Sequence, residues 1–370
     1  MAADNASSLL QGAKVSLEPN QLALRLAKQI EGSGPISVAE YMRAANAEYY
    51  NRFDPLGADG DFITAPEISQ MFGELVGMCL TDMWLRRNRP AQCHYIELGP
   101  GRGTMAADAL RAMRRFEFIP NVHFVETSQA LRKKQASAVP DAIFYDSIEA
   151  LPQDGPLFIV ANEFFDALPV RQLVSTHSGW RERVVARDKG TRFSAMPGSR
   201  AMDAAVPDDF CRAPVDSIYE TSPEASGIMY ELTTRLNRQG GVLLIIDYGY
   251  AQPGLGSTLQ AVKDHGFADP FQDPGDRDLT AHVNFLELAN LAKMRDLGVS
   301  GPVDQGAWLS ALGIEQRAAS LADASPDRAS EIFAAHDRLT SKEEMGTLFK
   351  ILAVTSPDWP QPEGFNPSGL

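Results

Sequence analysis

Two short stretches hold residue types that could do chemistry together. YIELGPGRGT, residues 95–104, ends an apolar run in Gly99, Gly101 and Gly103, with Glu97 two places before the first glycine and Thr104 directly after the last. Farther on, LFIVANEFFDALP ends another apolar run in Asn162, Glu163 and Asp166, with Phe164 and Phe165 between the acids. Glycines at such a turn let bare backbone N–H groups approach a ligand, because no Cβ stands between them. The spacing is G-x-G-x-G and not the dinucleotide G-x-G-x-x-G, whose last glycine serves helix–strand packing. The acid then supplies a sign. A pyrophosphate would be repelled by Glu97, whereas a ligand with an ammonium and a sulfonium would be attracted by roughly a few kcal/mol in a partly dry cleft. The motif therefore favours S-adenosyl-L-methionine, with another nucleotide or a plain structural turn as the alternatives.

A second acid, Glu126, closes the run VHFVE 23 residues after Gly103 (126 − 103). An acid at that strand end can accept both ribose hydroxyls; the bland alternative is a solvated charge. Asp146 and Ser147 follow the third apolar run, where an adenine amino group is expected. Asn162, Glu163 and Asp166 stand at the carboxyl end of the fourth, where open α/β sheets place reactive groups. They either cap a turn or hold an acceptor nitrogen in line with the methyl–sulfonium bond. Paired carboxylates suit a guanidinium, because they bind two N–H groups in a fork and leave the third nitrogen for attack. Two further clusters offer residues to the same cleft: Asp61, Thr64 and Glu67 in GDFITAPE, and Asp278, Thr280, His282 and Asn284 in DRDLTAHVNF. A lone histidine is more often structural, but His282 is the best candidate for a proton acceptor. Tyr248 and Tyr250 follow the strand LLIID and can line the site.

The elements that must position these groups can be read from periodicity. LALRLAKQIEG has helical apolar spacing, and Ser37 with Glu40 makes an S-x-x-E capping box for a second helix. A loop rich in Pro, Gly and Asp, residues 51–68, leads to a third helical stretch, so residues 1–90 form a helical region. From about residue 91, short apolar runs alternate with helical stretches, the pattern of parallel βαβ units. Insertions are expected at about 168–222, including a β-hairpin turning at 177–179, and at about 251–300. Helical stretches are expected around 282–296 and 304–321. LFKILAVTSP is expected as a late edge strand of a sheet domain ending at 356, before a tail over 357–370.

The 370 residues are 44% hydrophobic and 22% charged, with a net charge of −14. That composition fits a globular α/β protein with a substantial core and disfavours nucleic acid as a partner, since phosphate binding draws on Lys and Arg. Cys79, Cys93 and Cys211 are odd in number and have no CxxC spacing, and the six histidines show no HExxH pattern, so neither a disulfide frame nor a metal site is expected. No apolar run reaches membrane-spanning length. The first residues resemble neither a secretory signal nor an Arg-rich transit peptide, which makes a cytoplasmic location the expectation.

GPISVAEYMRAANAEYY, DPLGADGDFITAPEISQMFGELVG, YIELGPGRGTMAADALRA, VANEFFDALPVRQ, DLTAHVNF and MGTLFKILAV, in that order, resemble the MidA-like family over about residues 22–356. The resemblance implies a class I, Rossmann-like methyltransferase fold using S-adenosyl-L-methionine. It further implies symmetric dimethylation of an arginine on a core subunit of NADH–ubiquinone oxidoreductase (complex I), in support of its assembly. It places the donor at Glu97, Gly99, Gly101 and Gly103, the ribose at Glu126, and the reactive segment at NEFFDALP. A bacterial member is expected, whose substrate can differ. Methylation of another amino substrate and a non-catalytic assembly chaperone are the competing functions.

Overall fold

The computed structural model describes residues 20–52, 64–188, 190–263 and 266–365. Its centre is a sheet built from β1 (His94–Leu98), β2 (Asn121–Val125), β3 (Ile143–Tyr145), β4 (Leu157–Asn162), β5 (Gly241–Tyr250), β6 (Gly298–Asp304) and β7 (Phe349–Thr355). In space the order is β6-β7-β5-β4-β1-β2-β3. The five strands from β5 to β3 are parallel, as the alternation of runs and helices predicts. β7 runs antiparallel to both β5 and β6. The chain winds outward in one direction through β1, β2 and β3, then in the other through β4 and β5. Open α/β sheets form their ligand crevice at that reversal, above the strand carboxyl ends.

The run LFKILAVTSP is β7, and it does not lie at an edge. It sits between β5 and β6, and six of its seven residues are buried. Ile351–Val354 is a wholly apolar stretch, as suits a strand covered on both faces, and the one charge before it, Lys350, is paired with Asp304 of β6 at 2.8 Å. The edges fall to the three-residue β3 and to β6. The helical stretches near 282–296 and 304–321 also differ from expectation, the first being shorter and the second broken in two and ending later. The first is Phe285–Lys293, with β6 following it, and the second breaks at Gly313, whose φ of 89° suits glycine, into Gln305–Ala311 and Ile314–Ala324.

Helices α1 (Gln21–Ser33) and α2 (Val38–Arg52) precede the sheet, followed by α3 (Ala65–Ile68) and α4 (Gln70–Arg86). The capping box forms as read: Ser37 Oγ accepts the Glu40 amide at 3.1 Å, and the Glu40 carboxylate accepts the Ser37 amide at 2.8 Å. The apolar faces of α1 and α2 bury Leu22, Leu26, Tyr41 and Met42 against Val185, Phe193 and Leu279 of the two insertions, a core separate from those on either face of the central sheet. Arg171–Thr176 and Gly179–Arg187 form the expected hairpin, which belongs to a five-stranded sheet completed by Phe193–Ala201, Ile218–Thr221 and Ile36–Ser37. The later insertion contributes a small three-stranded sheet that ends in Asp278–Thr280. The N-terminal helices and the insertions thus form one layer over the carboxyl ends of β4 and β5. Among the described residues, no helix is long and apolar enough to cross a membrane.

Candidate active site

β1 leaves the sheet through the glycine turn into α5 (Thr104–Arg114). Gly99, Gly101 and Gly103 have φ values of 59°, 55° and 82°, a region that side chains with a Cβ enter at a cost. A Cβ on Gly99 would lie 3.2 Å from the Phe164 ring, and one on Gly103 would lie 3.3 Å from Ala138 of α6 (Gln129–Ala138). The first glycine therefore clears the NEFFD segment, and the third lets α5 pack close to α6. A cavity of about 380 Å³ opens above this turn. Gly99, Gly101, Thr104, Glu97, Glu126, Asn162, Glu163, Phe164, Asp166, Tyr248, Thr64 and Glu67 all line it, so most residues singled out in the sequence converge on one place. Among its described lining residues are seven carboxylates and two arginines, which makes the cavity a receptor for cations.

On the glycine side, Glu97 is buried and accepts the Tyr95 hydroxyl at 2.8 Å. Burial pushes its carboxyl up to about 8, because its charge has lost water without gaining a cation. The Glu126 carboxylate, at the end of β2, accepts the Ser128 amide at 2.7 Å and Gln135 Nε2 at 3.1 Å; burial raises it despite these bonds. Asn162 Oδ1 is buried with no hydrogen-bond partner, an unmet acceptor at the cavity wall. Thr104 Oγ1 donates to Glu67 at 2.7 Å, tying α3 to the glycine turn. Bare backbone, a buried acid awaiting a positive charge, an unmet acceptor and a strand-end carboxylate together fit a cationic nucleoside such as S-adenosyl-L-methionine.

Across the cavity, Glu163 takes a φ of 48°, left-handed for a residue with a full side chain. Such strain persists only where surroundings hold it, and it aims this carboxylate into the cleft. Burial, then the nearby Asp166 charge, push the Glu163 carboxyl up to about 8; the Ala65 amide at the start of α3 and the Asn162 side chain oppose them. Burial also raises Asp166, against hydrogen bonding from Tyr248 and the Ala167 amide. The loop is pinned from behind by Asp247, fully buried, which accepts the amides of Phe165 at 3.0 Å, Asp166 at 3.2 Å and Tyr248 at 3.0 Å. Asp278 enters from the small inserted sheet, and its carboxylate accepts the Tyr50 hydroxyl at 3.0 and 3.1 Å. Asn46 clips the same layers together by donating to the carbonyls of Ala167 and Leu279 and accepting the Leu279 amide.

Some expected site residues lie elsewhere. Asp146 points to solvent, paired with Arg132 at 2.6 Å, and neither it nor Ser147 is among the residues that line the cavity. His282 and Tyr250 line a separate, much smaller cavity, with the His282 ring packed edge-on against Tyr248 at 5.5 Å; burial lowers the imidazole pKa. Phe165 is core, unlike Phe164. Asp61 lies outside the described residues. Asn46, Tyr50 and Asp247 escaped the sequence reading. Asn46 and Tyr50 carried one signal, polar residues four apart on a largely buried face of α2; Asp247, inside β5, carried none.

Residues 75–303 match the family of S-adenosyl-L-methionine-dependent methyltransferases. The chain is 35% identical to a Drosophila melanogaster protein named the mitochondrial protein arginine methyltransferase NDUFAF7 homolog, over 90% of this chain and 84% of that one. It is 33% identical to the Homo sapiens mitochondrial protein arginine methyltransferase NDUFAF7, over 88% and 81%. In three dimensions it superposes on a likely methyltransferase of Burkholderia thailandensis bound to S-adenosyl-homocysteine, with a TM-score of 0.80 and 24% identity over 94% and 95% of the two chains. The likeness in three dimensions shows the class I fold, and the sequence match shows the lineage: the chain belongs to the family of S-adenosyl-L-methionine-dependent methyltransferases.

Proposed function

We propose that this enzyme is a protein arginine N-methyltransferase that symmetrically dimethylates an arginine on a subunit of NADH–ubiquinone oxidoreductase and so supports assembly of that complex. The observation that carries the reading is that two halves line one cavity: a cation-seeking glycine turn, and the half-buried Glu163 with the buried Asp166. The names of its relatives as arginine methyltransferases supply the acceptor type. A bacterial cytoplasmic setting is part of the proposal; the free thiols of Cys79, Cys93 and Cys211 suit a reducing compartment.

S-adenosyl-L-methionine supplies an electrophilic methyl group when bound. Glu97 would offset its positive charge, Asn162 Oδ1 would accept from its ammonium, Glu126 would take the ribose hydroxyls, and the backbone at Gly99 and Gly101 would form the floor. A guanidinium acceptor has a pKa above 12 and a delocalised charge, so positioning and charge dispersal must do most of the work. Glu163 and Asp166 take its N–H groups from one side and orient the remaining nitrogen. Phe164 and Tyr248 wall that nitrogen from water, while Thr64 and Glu67 on α3 border the acceptor's approach. The decisive test is mass spectrometry of arginine methylation in a deletion strain, its parent, and a strain carrying Glu163→Gln. The proposal requires one or more dimethylarginine sites on the complex to vanish in both altered strains. Unchanged arginine methylation across the three would overturn it.

A further inference from the structure

Behind the cavity wall stands a line of polar side chains that ends on Asp166. Thr280 closes the inserted strand Asp278–Thr280; it is 2% exposed and does not line the cavity. The backbone holds it beside Asp166, since the amide of the next residue, Ala281, donates to the Asp166 carbonyl at 2.9 Å. Tyr248 is held at the same place by Asp247, whose carboxylate accepts the amides of both Tyr248 and Asp166. Gln260, the antiparallel partner of Thr280 on the neighbouring inserted strand, donates from Nε2 to Thr280 Oγ1 at 3.3 Å. The Thr280 hydroxyl donates in turn to the Tyr248 oxygen, and the Tyr248 hydroxyl donates to the Asp166 carboxylate. All three bonds run one way, from the inserted sheet toward the cavity. A second observation lies at their end: Asp166 lines the cavity, is 5% exposed, and leaves its Oδ1 buried without a hydrogen bond.

The direction follows from counting protons. An amide nitrogen only donates, and a hydroxyl carries a single proton. A Thr280 oxygen that accepts from Gln260 has its proton free for Tyr248, and a Tyr248 oxygen that accepts from Thr280 has its own proton turned to Asp166. A donor on one carboxylate oxygen favours the charged form and leaves the other oxygen for a second donor. We propose that Thr280, oriented by Gln260, is a positioning residue of the acceptor site: it turns the Tyr248 hydroxyl onto Asp166, which keeps that acid charged and its Oδ1 open to an N–H of the acceptor. This deepens the arginine reading and rests on it. The other ionisable groups around Asp166 are Glu163 from its own loop, Asp247 from β5, His282 behind the Tyr248 ring, and Tyr50 from α2, which feels both Asp166 and Asp278. The charges of Glu163 and Asp247 oppose that of Asp166, whereas Tyr248 and the Ala167 amide favour it.

The test uses the full chain saturated with S-adenosyl-homocysteine and titrated calorimetrically with N-methylguanidinium from about pH 5 to about pH 9. Two carboxyls should report: Asp166, raised by burial to about 6, and Glu163, raised to about 8. Binding of the cation should strengthen as pH rises through each, and the lower step is the readout. Tyr248→Phe removes only the hydroxyl. It should move the lower step upward by about half a pH unit or more, because Asp166 loses a donor to its charged form. Thr280→Val keeps the side chain's shape and frees the tyrosine hydroxyl to turn. It should move the step the same way by less, while affinity above the step stays within about twofold of the unaltered protein. Thr280→Ser restores the hydroxyl and should return the step to its place. A threonine that serves packing alone would change the melting temperature and leave the step unmoved. S-adenosyl-homocysteine affinity controls for folding, and if Thr280→Val does not fold, Thr280→Ala removes the same hydroxyl with less demand for space. An unmoved step in Tyr248→Phe or in the Thr280 variant, with N-methylguanidinium still bound, would overturn the inference and leave the arginine reading intact. Absence of N-methylguanidinium binding by the unaltered protein at every pH would overturn both.

Discussion

The side of the cavity that carries Glu97, Gly99, Gly101 and Glu126 comes from one continuous stretch, β1 through α6, whose strands pair in register along the central sheet. The opposite side is gathered from α2, α3, the loop after β4 and the inserted sheet; its Tyr50–Asp278 contact spans 228 residues of chain. The first side is a local consequence of strand, turn and helix, and it can be rebuilt wherever that sequence recurs. The second exists only when two insertions and two N-terminal helices have closed their own core around Tyr41, Val185 and Leu279. On the proposed function, donor binding belongs to one local unit of the sheet, and acceptor choice to the part that insertions can remodel.

The sharpest way to break this comparison is to damage one side and read the other. Gly101→Val places a branched side chain at a φ of 55°, at a cost of about 1–2 kcal/mol in backbone strain. It also fills the cavity floor where a ligand's backbone contacts would lie. S-adenosyl-homocysteine affinity should fall at least about 100-fold by calorimetry, while N-methylguanidinium binding stays near that of the unaltered protein. The reverse injury is Glu163→Gln, which keeps the shape and the left-handed backbone but removes the charge. Its kcat/KM for methyl transfer should drop about 10- to 100-fold with S-adenosyl-homocysteine affinity nearly unchanged. Parallel losses on both sides, in either variant, would mean that the halves are one cooperative unit.

How far each side could be read in advance follows the same division. Gly99, Gly101, Glu97 and Glu126 were legible because their spacing is dictated by one βαβ unit, and Ser37 with Glu40 because a capping box is complete within four residues. The place of β7 inside the sheet was only partly legible: Lys350 breaks its apolar run, as an edge strand would allow, and that lysine is accommodated in the interior by Asp304 of β6. Asp247 was hidden for another reason. Its carboxylate serves three backbone amides, and nothing in LLIIDYGY tells that acid from one facing solvent. Asp278 was legible as a cleft candidate in DRDLTAHVNF, but its partner Tyr50 was not, because their contact joins segments 228 residues apart. Asp146 lies away from the cavity lining because a strand-end acid can turn outward to an arginine as readily as inward, and here it pairs with Arg132.

A smaller effect sharpens the donor side. Glu97 has a carboxyl raised to about 8 from an ordinary 4.5, so without donor it is mostly protonated at neutral pH. A cation needs the ionised form. Donor binding must then expel a proton below pH 8, and affinity rises with pH by up to about tenfold per unit. Between pH 6 and 7 S-adenosyl-L-methionine affinity should climb toward that limit, and Glu97→Gln should flatten the slope. The sign for the unliganded fold is opposite: a raised carboxyl favours folding at low pH, and that contribution fades as pH rises from about 4.5 through about 8. The thermal stabilisation produced by donor should therefore grow over the range in which the unliganded protein weakens. A pH-independent affinity in the unaltered protein would remove Glu97 from contact with the cation.

The smallest effect belongs to His282, and it tests whether the boundary between the two cavities is real. The histidine stands behind Tyr248, which lines the main cavity and hydrogen-bonds Asp166, but its own ring faces the smaller cavity beside Asn284 and Glu287. A base must reach the proton it takes, directly or through one water. With the Tyr248 ring between them, His282 can influence the acceptor side only by supporting that ring. His282→Gln, similar in reach and still polar, should lower kcat by no more than about threefold. Burial depresses the imidazole pKa below its usual 6.5, so this variant should leave the pH–rate profile unchanged in shape near neutrality. Loss of a limb of that profile in His282→Gln would place a proton path through Tyr248 and merge the two cavities into one functional site. An unchanged profile confines proton acceptance to the carboxylates that face the acceptor directly.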